Sequence, residues 1–336
     1  MQPRIGVNLT LRDDRPRGEF IEFVQLLEGL GYDSIWAGES WGREVFTLLT
    51  HLACNTTRVH LAAGIANVYS RTPALIAQTI ATLDEIAGGR AILGLGSSGE
   101  KVIQDWHGVP FRKPLQRTRE YVDIVNMALR GDRVNYDGEF FHLRDFKLMF
   151  QPLRNHVPIV LAALGPKNIQ LTGELADGWA PIYASPKAMA GFRKRLAEGA
   201  ARRGRDASKI DVRPYTVACV SNDPRVCREL ARGHIAFYVG GMGRYYHDLV
   251  ASYGYVEEAR RVKDLWEKRD RKGATAAVTD AMLADLAITG TAEQCRQRAA
   301  DLMASGYGAP VIYLPHGSSD QVMKETVEGL SPQAFR

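Results

Sequence analysis

Residues 90–99 read Arg90-Ala91-Ile92-Leu93-Gly94-Leu95-Gly96-Ser97-Ser98-Gly99, an apolar run entering a G-x-G-x-x-G pattern. The choice between an open dinucleotide-binding sheet and a closed barrel turns on what surrounds it. A dinucleotide fingerprint opens its domain and leads directly into a helix. An acidic residue ends the next strand about 20 residues on. Here three strand–helix units come first, and His107-Gly108-Val109-Pro110 breaks the chain soon afterwards. Glu120, the acid at that spacing, falls inside a helical pattern. The stretch therefore reads as a strand end whose small residues let a planar ligand approach closely.

Working outward, the chain alternates strand and helix. Ile5–Leu9 is a short apolar run, followed by helical spacing of Phe20, Phe23, Val24 and Leu27 up to Gly29 and Gly31. Ser34–Ala37 predicts strand two, Val45–Ala53 a helix, and Val59–Ile65 strand three. Thr72-Pro73 caps a helix carrying Ile76, Ile80, Leu83 and Ala87, which stops at Gly88-Gly89 before strand four at 90–96. A helix through Tyr121 and Leu129 ends at Gly131. The segment Val134–Phe141 then holds the Asp137-Gly138 signal of a hairpin. Pro158–Ala163, Gly178–Ile182, Val212–Val220 and Ala309–Leu314 predict strands five to eight. Residues 224–285 read as a helical insertion, and Thr291-Ala292-Glu293-Gln294 as a capping box. Eight alternations require a parallel sheet with helical crossovers and favour closure into an α/β barrel of the TIM-like (β/α)8 type. Functional residues then follow the strand ends.

Composition is compatible with this. A chain of 336 residues is the length of one large barrel, and 45% hydrophobic with 24% charged residues is a globular balance. No uncharged apolar stretch is long enough to span a membrane. Met1-Gln2-Pro3-Arg4-Ile5 enters a strand-like run with no signal-peptide core, so a cytoplasmic location is expected. Cys54, Cys219, Cys227 and Cys295 lack C-x-x-C spacing, which indicates neither a metal site nor a disulfide framework. The net charge of +5 raises the question of nucleic acid. Its excess, however, lies in residues 192–272, with 19 Lys/Arg against 11 Asp/Glu and no interleaved aromatic platform. No nucleic-acid partner is expected.

A phosphate candidate is Ala163-Leu164-Gly165-Pro166-Lys167-Asn168, where strand five ends and Pro166 suits a first helical position. Free N–H groups of such a first turn attract anions. His107 has the range for acid–base work, but beside Trp106 and Gly108 it equally reads as a loop pin. Trp41 and Tyr69 are candidate walls of a substrate cleft.

The chain resembles the luciferase-like flavin and deazaflavin oxidoreductases, in particular their coenzyme F420-dependent branch. The resemblance is carried by Ser34–Glu39, by Ala63-Gly64-Ile65-Ala66-Asn67 with Ser70-Arg71-Thr72-Pro73, and by Thr82-Leu83-Asp84-Glu85 through Gly96. Trp106-His107-Gly108, Ala162–Pro166 and Ala176-Asp177-Gly178-Trp179 complete it. It implies one luciferase-like barrel domain over residues 1–336 and a homodimer acting on a small-molecule substrate. It also implies a bulge at Gly64-Ile65 with a non-prolyl cis peptide that supports the cofactor ring from behind. Asn67, Gly96, Ser97 and Ser98 are implied to contact the ring or ribityl chain, and Ala163 to Asn168 the phosphate. Glu39 matches a position near the ring, although Ser40 stands where related enzymes place a histidine. Within the branch the chain is similar to methylenetetrahydromethanopterin reductase. That enzyme has a glutamate where Asn8 ends strand one, and Glu100 matches one of its acidic residues.

The implied activity is hydride transfer between C5 of the deazaflavin and a C=N or activated C=C carbon, or the reverse alcohol oxidation, with Glu100, Glu39, His107 or water supplying the proton. An FMN-dependent luciferase-like monooxygenase is the alternative, and a non-catalytic deazaflavin-binding protein a further one.

Overall fold

A computed structural model describes residues 2–9 and 16–335. Its centre is a closed barrel of eight parallel strands. Strand one, Gly6–Asn8, pairs with strand two, Ser34–Ala37, and with strand eight, Val311–Tyr313. Strand three, His60–Ala63, follows strand two, and strand four, Ala91–Gly96, lies between it and strand five, Ile159–Leu161. Strand six starts at Gly178–Trp179.

Strand seven closes the circle, and it is not the single run Val212–Val220. It divides at Arg213-Pro214 into Asp211–Val212, which pairs with strand six, and Tyr215–Val220, which pairs with strand eight. Proline has no N–H to give a ladder, so the break falls there. The Tyr215 N–H still donates to the Pro181 carbonyl at 2.7 Å, and the Val311 N–H to Pro214 at 2.9 Å.

Alternation along the strands sorts side chains into two sets. Ile35, Leu61, Ile159, Leu161 and Ile312 face the surrounding helices. Trp36, Ala62, Ile92, Val160, Ala180, Tyr215, Val311 and Tyr313 fill the interior, so the barrel is packed and not a pore. At the strands' N-terminal end Arg213, 2% exposed, donates to Asp33, to Asp211 at 2.7 Å and to the Ser34 hydroxyl at 2.8 Å. Arg4 reaches the same two carboxylates at 3.0 Å each. That network plugs the floor.

Two further differences from the expected pattern concern additions. The hairpin expected at Val134–Phe141 is present and runs further, its strands Val134–Asp137 and His142–Phe146 being joined by four residues. The carboxylate of Glu120, 0% exposed, accepts the N–H groups of Glu139, Phe140 and Phe141 and so shapes the loop. After helices running from Pro224–Gly241 to Asp280–Leu286, a short parallel strand, Ala287–Gly290, adds to strand seven. The capping box at Thr291 is present, with both reciprocal bonds to Gln294.

Candidate functional site at the barrel mouth

The C-terminal ends of strands three, four and five converge. After Ala63 the chain bulges at Gly64-Ile65, whose peptide is cis, and rejoins the sheet as Ala66–Asn67 beside Leu95 and Gly96. A Cβ on Gly96 would lie 3.0 Å from Ile65 Cδ1 and 3.4 Å from Ala162 Cβ, so these three segments touch. A Cβ on Gly94 would stand 1.8 Å from the Ala63 carbonyl oxygen, which only glycine permits. Ser97 and Ser98 follow, Ser98 in the left-handed region at φ 58°.

Asn67 organises the neighbouring loops. Its Oδ1 accepts the N–H groups of Tyr69 at 2.9 Å and Ser70 at 2.7 Å, while its amide nitrogen lies 3.4 Å from His107 Nε2. The contact ties the loop after strand four to the loop after strand three. Tyr69 is buried, stacked on Phe111 at 5.3 Å, with its hydroxyl donated to the Arg112 carbonyl and Arg117 lying 4.7 Å from its ring centre. Burial pushes its phenol up to about 12. Tyr69 is a packing residue of these loops. Trp41 is 55% exposed.

Glu39 is held by a residue that spacing alone did not reveal. Arg71 grips both of its oxygens, at 2.5 and 3.0 Å, and also reaches Glu44 at 2.5 Å. The bond to Glu39 raises the Arg71 guanidinium further. Burial opposes ionisation of Glu44, but N–H bonds from Thr47 and Phe46 and the charge of Arg71 outweigh it, and Glu44 lies below the usual carboxylate range. A carboxylate held bidentately is an acceptor, which suits Glu39 to positioning and not to proton delivery. Glu100 opens the turn after Gly99, is exposed, and accepts from Gln104 at 3.3 Å.

The phosphate candidate sits on the same side. Gly165 precedes helix Pro166–Leu175, and no side chain caps it. Gly165, Pro166 and Lys167 are exposed, and Leu164 and Asn168 half-buried. Ala163 is buried, its carbonyl accepting the Trp179 indole N–H at 2.8 Å. The helix is set in place through two glycines. A Cβ on Gly173 would fall 2.0 Å from the Leu196 carbonyl oxygen, and one on Gly199 1.8 Å from that of Gln170, so helices Pro166–Leu175 and Met189–Ala201 meet backbone to backbone.

Across the mouth, Asn8 is 2% exposed and lies in register with Trp36 and Tyr313. The Tyr215 hydroxyl abuts Gly64, where a Cβ would lie 2.1 Å from it. The Tyr215 ring meets Trp36 and Tyr313 edge-on at 5.8 and 6.1 Å. Tyr215 and Tyr313 were absent from the expected site. Tyr313, the last residue of strand eight, is of the kind that the strand-end rule selects.

This geometry agrees with comparisons to known proteins. The model of the family described as luciferase-like monooxygenase matches residues 4–308. A Mycobacterium tuberculosis protein named as a candidate coenzyme F420-dependent oxidoreductase is 32% identical over 337 residues, covering 95% of this chain and 96% of its own length. The 5,10-methylenetetrahydromethanopterin reductase of Archaeoglobus fulgidus is 34% identical over 301 residues, with 88% and 89% covered. The solved structure of the coenzyme F420-dependent tetrahydromethanopterin reductase from Methanopyrus kandleri superposes with a TM-score of 0.85 at 25% identity, covering 100% of both chains. The chain belongs to the luciferase-like monooxygenase family.

Proposed function

We propose that this chain is a coenzyme F420-dependent oxidoreductase that reduces a C=N, C=O or activated C=C bond of a small molecule, or runs the reverse oxidation. The observation that carries the reading is the single cradle made by Gly64-Ile65, Gly96 and Ala162, continuous with an uncapped helix start at Gly165. The cradle's small residues suit a planar ring, and the first turn of helix Pro166–Leu175 suits its phosphate. When bound, reduced F420 supplies hydride from C5. The protein supplies orientation. Gly64, Ile65 and Gly96 would form the surface behind the ring, with Asn67, Ser97 and Ser98 at its edge. Lys167 and Asn168 would flank the anion, Arg71 holds Glu39 in place, and Asn8 would face the substrate.

The proposal includes a homodimer in the cytoplasm. No helix among the described residues is long and apolar enough to cross a membrane.

The test is fluorescence titration of the purified protein with F420 and with FMN, followed by screening imines, ketones and enones for oxidation of the reduced deazaflavin. Saturable F420 binding with substrate-dependent oxidation is expected. Tight FMN binding without affinity for F420 would overturn the reading in favour of a flavin monooxygenase. F420 binding with no turnover across the panel would favour a carrier.

A further inference from the structure

The mouth holds a second set of polar side chains that the cradle does not use. The Tyr313 hydroxyl lies 2.8 Å from that of Tyr238, which projects from helix Pro224–Gly241. The Tyr238 ring stacks on His234 at 5.2 Å and 24°, and His234 stacks on His316 at 5.2 Å and 19°. A column of planar rings thus runs from exposed His316 inward to the hydroxyl pair. The Tyr313 ring also meets His234 edge-on at 4.5 Å.

His234 is 1% exposed, and neither of its ring nitrogens has a hydrogen-bond partner among the described residues. Leaving a buried polar group unmet costs about 1–3 kcal/mol. Burial, aided by His316, holds His234 well below the usual histidine range, and burial raises Tyr238 well above an ordinary phenol. At neutral pH the mouth therefore presents a neutral imidazole and an un-ionised phenol. Tyr238 is half-buried as a residue. On the other side of the pair, the Tyr215 ring lies 6.1 Å from that of Tyr313 and its hydroxyl abuts Gly64. The layer is continuous from the ring-supporting bulge to the pair.

We propose that Tyr238, with Tyr313 donating to it, is the catalytic acid that holds and protonates the heteroatom X of the substrate's C=X group. This rests on the deazaflavin reading above, with reduced F420 as the hydride donor. As a C–H bond forms at the substrate carbon, the π pair moves to X. X takes the Tyr238 proton, the O–H bond breaks and an X–H bond forms. Tyr313 steadies the resulting tyrosinate until solvent returns a proton. An un-ionised tyrosine supplies the donor at neutral pH, and the bidentate grip of Arg71 leaves Glu39 to other work. His234 is a positioning residue, fixing the Tyr238 ring by stacking.

The probe is 4-nitrophenolate, an oxyanion whose absorbance reports its environment, titrated into the F420-loaded and the F420-free protein. Wild type is expected to bind it. Tyr238→Phe should weaken binding about tenfold to a hundredfold, since a hydrogen bond to a charged group is lost. Tyr313→Phe should weaken it less, and F420 affinity read by fluorescence should be unchanged in both. His234→Phe, which keeps the stack and removes the nitrogens, should bind the probe as wild type does. Failure of wild type to bind the probe overturns the proposal, as does equal affinity in Tyr238→Phe or loss confined to His234→Phe. Retained probe behaviour with no F420 affinity would instead defeat the deazaflavin reading and leave the hydroxyl site standing.

Discussion

Gly64→Ala is the substitution on which the geometry of the cradle makes its sharpest demand. The added methyl would lie 2.1 Å from the Tyr215 hydroxyl and 3.3 Å from both Cβ and Cε3 of Trp36. Neither neighbour is a loose surface tip. Trp36 is 0% exposed and Tyr215 7%, and their rings lock edge to face at 79°. Accommodation therefore requires a buried ring to move, and overpacking of this kind costs about 1–3 kcal/mol. Gly64 has no left-handed backbone angle, so the cost is steric. Tyr215→Phe removes the atom in closest conflict, and the Gly64→Ala/Tyr215→Phe double variant should recover part of the loss. The expected coupling is about 0.5–3 kcal/mol, as for residues in contact. Urea unfolding followed by tryptophan fluorescence gives the four stabilities, and F420 titration gives the matching affinities. A wild-type midpoint for Gly64→Ala, or additive effects of the two substitutions, would refute the packing described for the bulge.

Two further outcomes follow from the supporting structure. Gly199→Ala, whose methyl would meet the Gln170 carbonyl oxygen at 1.8 Å, should destabilise the fold by about 1–3 kcal/mol and weaken F420 binding by displacing helix Pro166–Leu175; unchanged affinity would separate that helix from the phosphate. Glu120 is penalised by burial, but its bonds from Gln116 and from the N–H groups of Phe140, Glu139 and Phe141 lower it below the usual carboxylate range. Its folded value lies below its unfolded one, so its contribution is present above the unfolded value and is lost as pH falls through the folded value. Glu120→Gln should accordingly destabilise most near neutral pH and least in acid, read from urea midpoints across that range; a pH-independent difference would count against the assignment.

The barrel was legible because each strand–helix unit carries its own local signal. Thr72-Pro73 starts a helix and Gly88-Gly89 stops it wherever they occur. Features that depend on distant partners were not legible in this way. Glu120 meets the hairpin loop 19 to 21 residues away, a contact that the Asp137-Gly138 signal does not carry. Arg71 and Glu39 are 32 positions apart, and Tyr238 and Tyr313 are 75. Ala287–Gly290 is only four residues long and follows helix Asp280–Leu286 directly, leaving no periodicity to read. The bulge was anticipated through resemblance, since nothing in the pattern of Val59–Ile65 distinguishes it from an uninterrupted strand.

The plug of Arg213, Asp33, Asp211 and Arg4 closes the strands' N-terminal end. With the interior above it filled by side chains, a ligand can meet the strand ends only from the opposite face, so the floor and the packed core together leave the loops after the strands as the one approach to Gly64 and Gly96.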